Sequence, residues 1–559
     1  MEGRHEKFRL PRYEDIPKES YGPVLKLTLS YCSYLKEQLE LCYRKLGEGS
    51  AELDKQAGEL EALNAELNLE KEANSRLKDE VADLKKSPRR PKVKPSGLNK
   101  KPKTGKRGKP RRKKTRELEI HEEVVITPKD IPEGSIFKGY EDYVVQDIKI
   151  EARNTKFRRA RYKTPDGSYL VGELPKSVNR SHFGPRLKSY IICQHFESQV
   201  TQSLLLKELR SYGIRISSGQ LSKIITERHE AFHREKDEVL RAGLEVSSYI
   251  NVDDTGARHR GKNGVSTHIG NELFAWFSST ESKSRINFLE LLRTGFEHYV
   301  IDDVARSYMA LQKLPKYVLS LLEDNRMLAD KSSWESFLQG LGISDKRHLR
   351  IVTEGALVAC IVETGVYRDL VIVSDDAGQF NVAGFLNALC WVHAERTISK
   401  IIPYSDKNRE ILKGTLDKIW EFYKELKEYK KSPNAQEKER LESGFDEIFA
   451  TKTSFQILDN ALKRIYDNKE ELLLVLSRPE IPLHNNLSEN DIRIYVKKRK
   501  ISSGTRSEAG RQARDTFLSL SKTCKKLNIP FWDFLLDRFS FGNKIPPLAS
   551  VIRNNHSPP

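Results

Sequence analysis

Two aspartate pairs, Asp253-Asp254 and Asp375-Asp376, and a lone Glu489 sit in three short polar motifs. These are VDDTG at 252–256, SDDAGQF at 374–380 and HNNLSEN at 484–490. Each of the first two motifs follows an apolar, β-branched run, YINV at 249–252 and LVIV at 370–373. Such runs predict buried strands that end on a carboxylate. The third motif stands in polar sequence that turns into a helix. Mg2+ takes oxygen ligands, usually one or two carboxylates together with substrate phosphate. Two such ions about 3.5–4 Å apart clamp the attacking and leaving oxygens of a phosphodiester. Two aspartates at strand ends and a glutamate on a later helix therefore predict a hard-metal cage, for Mg2+ with Mn2+ as a substitute. The chemistry this points to is metal-dependent cutting and joining of DNA.

Other side chains near these acids suit the same chemistry. On a helix opening at Ser488, the residues Glu489, Arg493, Val496 and Lys500 share one face by their spacing. Arg493 and Lys500 would then meet phosphates flanking the scissile bond, with a solvated basic face as the plainer alternative. His484 and Asn485 precede the glutamate and suit either orientation of a water or terminal phosphate, or bracing of the loop. His393 and Arg396 lie one helical turn apart and suit DNA contact. Cys390 and Trp391 beside them read as core, which favours an indirect, steadying role for His393.

The positioning elements follow from composition and pattern. At 559 residues the chain has length for several domains. Its net charge is +18, and 17 Lys or Arg with no acid fall within 85–116 alone. The chain thus reads as a near-neutral body with one polycationic strap, which includes Arg111, Arg112, Lys113 and Lys114. Such a strap neutralises DNA phosphates without reading sequence. A solvated linker or an anionic lipid contact fits it less well. The 6 cysteines form no CxxC pair, so reduced thiols in a cytosolic protein are expected. No apolar run is long enough to suggest export or a membrane span.

After a tail at 1–22, a seven-residue apolar repeat over 23–86 predicts a coiled coil that pairs subunits into a dimer or higher homo-oligomer. A hairpin folded on its own chain is the alternative that Gly47 and Gly49 allow. The Pro- and Gly-rich strap makes 87–117 a basic, disordered linker. YVVQDIKI at 143–150 reads as a strand and PDGS at 165–168 as a hairpin turn, so 118–180 predicts a small β-module. Over 181–240 the pattern turns helical. Leu204, Leu205 and Leu209 form a stripe that ends near Gly213, and Leu221, Ile224 and Ile225 open a second helix after a Ser/Gly turn. That is helix-turn-helix grammar, with Arg215, Gln220, Lys223 and Arg228 as DNA-facing candidates. From 241 to 545, strand-like and helix-like runs alternate, with helical insertions at about 296–350 and 400–478. A tail at 546–559 follows. The fold class expected is multidomain α+β with an α/β core.

Taken in order, VDDTG, SDDAGQFN, CWVHAER at 390–396 and NNLSE at 485–489 resemble motifs of bacterial DDE transposases of the insertion-sequence sixty-six type. Arg499-Lys500 fits the basic pair expected shortly after the last motif. The resemblance spans roughly residues 120–540. It implies an RNase H-like catalytic domain whose carboxylates, mapped by motif, are Asp253, Asp375 and Glu489. Two departures stand out. The family often carries a cysteine-rich zinc module before the helix-turn-helix, but no cysteine lies between Cys42 and Cys193, so the β-module should be metal-free. Asp254 stands where the family often has Glu. Strand alternation sends Asp253 and Asp254 to opposite faces, and the motif favours Asp253, while Asp375 and Asp376 pose the same choice. The resemblance implies a transposase that binds terminal inverted repeats in double-stranded DNA, nicks with Mg2+ and transfers 3′ ends. A non-catalytic DNA-binding relative and a structure-specific nuclease without strand transfer are the competing readings.

Overall fold

A computed structural model describes residues 119–555, apart from 179–180 and 366–368, together with isolated positions before 119. Those positions aside, the expected tail at 1–22, the coil at 23–86 and the linker with Arg111, Arg112, Lys113 and Lys114 lie outside the described residues. Among the described residues, no helix is long and apolar enough to cross a membrane.

The first described stretch departs from expectation. The strand expected at 143–150 carries no ladder, and Tyr143, Val145 and Ile148 are exposed. Only β1 (Arg161–Lys163) and β2 (Tyr169–Val171) pair, antiparallel, around the expected turn. Thr164 N–H donates to Ser168 O at 2.9 Å to close that turn. The small β-module thus reduces to one hairpin. An isolated hairpin is marginal in water because it has no second layer to bury a face against.

Four helices follow: α1 (Pro185–Ile192), α2 (Gln202–Ser211), α3 (Ser218–Thr226) and α4 (Glu230–Val246). The start of α3 is dictated locally. Ser217 Oγ accepts from Gln220 N–H, and the Gln220 side chain accepts from Ser217 N–H, a reciprocal pair that satisfies two free donors. Leu205 and Leu209 on α2, and Leu221 and Ile225 on α3, are buried one turn apart, as an amphipathic helix requires.

The strands β3 (Tyr249–His259), β4 (Lys262–Gly270) and β5 (Ala275–Thr280) come next. After them the chain runs through α5 (Arg285–Leu292), β6 (Tyr299–Ile301), α6 (Asp303–Leu311), β7 (Arg326–Leu328), α7 (Lys331–Gly340) and α8 (Lys346–Glu363). The insertion expected at 296–350 is therefore mostly helical but also contains a paired β6–β7 ladder, and its helices run on to Glu363. Then come β8 (Val371–Ser374) and β9 (Leu386–Leu389). A second helical insertion holds α9 (Trp391–Ser399), α10 (Asp406–Tyr429), α11 (Ala435–Phe449) and α12 (Gln456–Tyr466). The chain closes with α13 (Asn486–Ser502), α14 (Glu508–Lys526), α15 (Phe531–Ser540) and α16 (Leu548–Asn554). The last helix corrects the tail expected at 546–559. Leu548 and Ile552 share a buried face, and α16 packs on α4, where Arg553 meets Glu245 at 2.7 Å.

The result is a mixed α+β fold around a five-stranded mixed sheet in the order β5-β4-β3-β8-β9. The pairs β5–β4 and β4–β3 are antiparallel, while β3–β8 and β8–β9 are parallel. Alternation along the central strands divides the core in two. Ile250, Val252 and Ile372 enter one apolar cluster with α5 and α8. Val371 and Val373 enter another with Trp391, Phe422 and Phe445 of the second insertion. The exposed edge of β5 is capped by α14. Its residues Thr523, Ser519 and Asp515, spaced one helical turn apart, accept from the N–H groups of Ala275, Phe277 and Ser279 at 3.2, 2.8 and 2.8 Å. Edge donors left open would invite foreign strands.

Candidate active site

The register of β3 on β8 brings the first two acidic motifs together. Asn251 lies opposite Val373 in the parallel ladder. Two residues beyond that pair stand Asp253 on β3 and Asp375 just past the end of β8, and alternation carried on from the ladder puts both on one face. That face carries Tyr249, Val371 and Val373 toward the second insertion, and α13 crosses it.

Asn485 fixes how α13 crosses. Its side chain, fully buried, donates to Val252 O at 2.6 Å and accepts from Asn251 Nδ2 at 2.9 Å. Its own N–H donates to Cys390 Sγ at 3.1 Å. Asn485 therefore joins β3, the start of α9 and the start of α13, and is a brace for the site. The helix opens at Asn486, two residues before the expected Ser488, so Glu489 sits in its first turn.

Neighbouring acids bear on Asp253. Burial, with the charges of Asp375, Asp254 and Glu489 adding to it, pushes the Asp253 carboxyl up to about 7, although the Asp254 N–H donates to it. Glu489 Oε1 lies 3.4 Å from Arg396 Nη1 and 3.8 Å from His393 Nε2. Burial holds His393 below its ordinary value against the opposing pull of Asp375 and Glu489. His484 is likewise held down by burial. Three hard oxygen donors with one guanidinium for compensation suit a divalent cation. The buried Asp375 Oδ1 has no hydrogen-bond partner. As they stand, the described residues contain no group of three His, Cys, Asp or Glu at ligand spacing, and Glu489 engages Arg396 instead.

The second acid of each pair is occupied elsewhere. Asp254 accepts from Thr267 Oγ1 at 2.6 Å and Gln379 Nε2 at 2.7 Å, with Lys283 at 3.7 Å. Asp376, at φ +43°, turns to Arg464 at 2.7 Å on α12. Gln379 belongs to the second motif, whereas Thr267 and Lys283 carried no signal in sequence, since only the fold brings them to Asp254.

A cavity of about 330 Å3 opens beside Asp375, lined by Arg396, Lys400, Arg464 and Asn468 with Leu389 and Ile465 among its apolar walls. On α13, Arg493 and Lys500 are exposed, and Arg493 bonds Asn490. Arg499 turns instead to β3, donating to Gly256 O and to Thr255 Oγ1. The residues Arg215, Gln220, Lys223 and Arg228 are exposed on or beside α3, a different element from those that carry the acids. Gln220 Oε1 is taken by the helix cap, which leaves its amide N–H groups to face outward.

Residues 359–513 match the family model described as Transposase IS66 family. That span holds Asp375, Glu489, His393, Arg396 and Asn485, and Asp253 lies before it. An uncharacterized protein of Sinorhizobium fredii (strain NBRC 101917 / NGR234), y4jO, is 43% identical over 319 residues, covering 56% of this chain and 99% of that relative.

Proposed function

The chain belongs to the IS66 family of transposases, and from that premise we propose that it is a DDE transposase that cuts the 3′ ends of a mobile element and joins them to target DNA. The register that levels Asp253 with Asp375, beneath the helix that carries Glu489, is the observation that carries this reading. A sheet of three antiparallel strands continued by two parallel ones, with acids at the end of β3, after β8 and on a later helix, supports an RNase H-like catalytic core.

In this reading Asp253, Asp375 and Glu489 hold Mg2+, or Mn2+ in its place. When bound, the cation supplies charge stabilisation at phosphorus and a lowered pKa for the attacking water. The protein needs no nucleophile of its own. Water attacks the end phosphodiester, a new P–O bond forms, and the transferred strand leaves with a 3′-hydroxyl. That hydroxyl then attacks a target phosphodiester and releases a target 3′-hydroxyl, so bonds broken and formed balance. Asp253 must be ionised to act, and its raised pKa makes that step sensitive to pH. Arg396 holds Glu489 and, with Lys400 and Arg464, offers cations to the DNA strand beside Asp375. His393, kept neutral by burial, steadies Glu489 without adding charge.

Sequence recognition of the terminal repeats falls to α3 in a helix-turn-helix, through Arg215, Lys223 and the free amide of Gln220, with Arg228 on the backbone. The strap with Arg111, Arg112, Lys113 and Lys114 adds sequence-blind grip, and the coil over 23–86 pairs subunits so that two ends are held together. End cleavage and joining are assayed with Mg2+ on DNA carrying the inverted repeats, wild type against Asp375→Ala. Cleavage and joining by the wild type, both lost in the variant, support the proposal. No cleavage by either protein indicates a non-catalytic DNA-binding relative. Cleavage without joining indicates a nuclease.

A further inference from the structure

His268 stands directly opposite Asp253 in the β3–β4 ladder and is fully buried. Its Nδ1 meets Ser488 Oγ at 2.6 Å. Its Nε2 lies 3.4 Å from Asp491 Oδ2. With Nε2–H directed at the carboxylate, Nδ1 accepts from the Ser488 hydroxyl. Ser488 and Asp491 flank Glu489 within the first two turns of α13. Asp491 is tied in turn to α14 through Lys526 at 2.7 Å and Lys522 at 3.4 Å. Ser, His and Asp are the residue types of a hydrolytic triad, but His268 and Ser488 are both 0% exposed, so no substrate reaches them.

We infer that His268, through Ser488 and Asp491, is a positioning residue that sets the rotation of α13 and so aims Glu489 at Asp253 and Asp375. This rests on the metal-site reading above. Apolar packing alone would hold α13 on the sheet, and ion pairs buried without need are commonly no more stable than well-packed apolar residues. Their use here is directional. Successive helix residues are about 100° apart around the axis, so a small rotation swings Glu489 off the other acids. A misplacement of about 1 Å costs on the order of 10²-fold in rate. Asn485 fixes where α13 begins, whereas the His268 link fixes which way its first turn faces.

The test is binding of Mn2+ alone to the full chain without DNA, read from the electron paramagnetic resonance signal of the free ion. Asp253→Asn is the control for the site. Ser519→Ala, which removes a buried hydroxyl bonded to β5 rather than α13, is the control for loss of stability alone. Ser488→Ala and His268→Gln are expected to weaken Mn2+ binding about 10-fold or more, the usual loss when a group behind a ligand is removed. Ser519→Ala should bind as wild type does, even where its melting temperature falls as far. End cleavage by Ser488→Ala should recover as Mn2+ is raised. Unchanged Mn2+ binding in Ser488→Ala, with binding lost in Asp253→Asn, overturns the positioning role and leaves the metal site standing. Equal binding by wild type and Asp253→Asn overturns both. Ser488→Ala removes a single oxygen, so the test survives if His268→Gln does not fold.

Discussion

Two stretches of this chain look alike as sequence and end in opposite states. YVVQDIKI at 143–150 and YINVDDTG at 249–256 both open on tyrosine, both carry β-branched residues and both reach an aspartate at the fifth position. The second is the central strand of a five-stranded sheet, with Ile250 and Val252 at 0% exposure. The first forms no ladder, and its Ile148 is 78% exposed. The difference lies in what the rest of the chain supplies. The later run has β4 on one edge, β8 on the other and an apolar cluster on each face. The earlier run has only a three-residue hairpin for company downstream. Strand propensity is a fit to a half-buried pleated surface and has no force where that surface is missing.

The comparison is tested most severely at the acids. If 249–256 is a strand with strict alternation, Asp253 and Asp254 differ sharply in use. Asp253→Asn should lower end cleavage by on the order of 10³-fold or more, well past the ~10–100-fold typical of groups behind a ligand. Asp254→Asn, which keeps hydrogen bonding toward Thr267 and Gln379, should stay within about tenfold of wild type. Equal losses in single-turnover cleavage would mean that both carboxylates reach the reacting centre, which strict alternation forbids.

Next in size is the core. Ile250→Ala removes a fully buried side chain between two sheet neighbours and should destabilise by about 2–5 kcal/mol in denaturant unfolding. A loss under about 1 kcal/mol would mean that the central strand is not the packed element described.

How far the sequence was legible follows from the same physics. The strands before both aspartate pairs, the Ser217 cap and the polar start of α13 depend on neighbours within a few residues, so local pattern reveals them. The pairing of β3 with β8 joins residues about 120 positions apart, and no local pattern encodes that register. Folding turns Asp254 toward Thr267 and Gln379 and Asp376 toward Arg464, contacts that the motifs alone do not encode. His268 was illegible because a histidine within a strand gives no sign of what lies across the ladder. The C-terminal helix was missed because Pro546-Pro547 reads as a break, whereas Pro547 starts a helix whose Leu548 and Ile552 find α4. The strand expected at 143–150 was the reverse error, a local pattern without a tertiary partner.

A smaller effect separates the aspartates of the two runs by pH. Burial and neighbouring acids raise Asp253 to about 7 in the folded chain. A carboxyl whose folded pKa lies above its unfolded value contributes stability below about pH 4 and loses that contribution as pH rises through about 7. Asp253→Asn should therefore raise stability at pH 8 by on the order of 1–3 kcal/mol in the metal-free protein and leave it unchanged near pH 4. Asp147→Asn, in the exposed run, removes no packed side chain and should leave the unfolding midpoint where it is. Added Mg2+ should stabilise wild type and not Asp253→Asn, because binding to the folded state alone shifts unfolding.

The smallest expected effect bears most directly on the outlying run. Ile148→Ser replaces an apolar residue that buries almost nothing, so unfolding of the full chain should shift by no more than about 0.5 kcal/mol. The same holds for Val145→Ser, and a double variant should remain additive because neither residue has a packed neighbour to couple through. Small shifts would also show that seventeen exposed large apolar residues between Ile120 and Val171 leave global stability to the sheet and its helices. A loss above about 1 kcal/mol for Ile148→Ser would break the comparison. It would mean that 143–150 packs against a surface in solution, and that its strand pattern is read correctly once that surface is present.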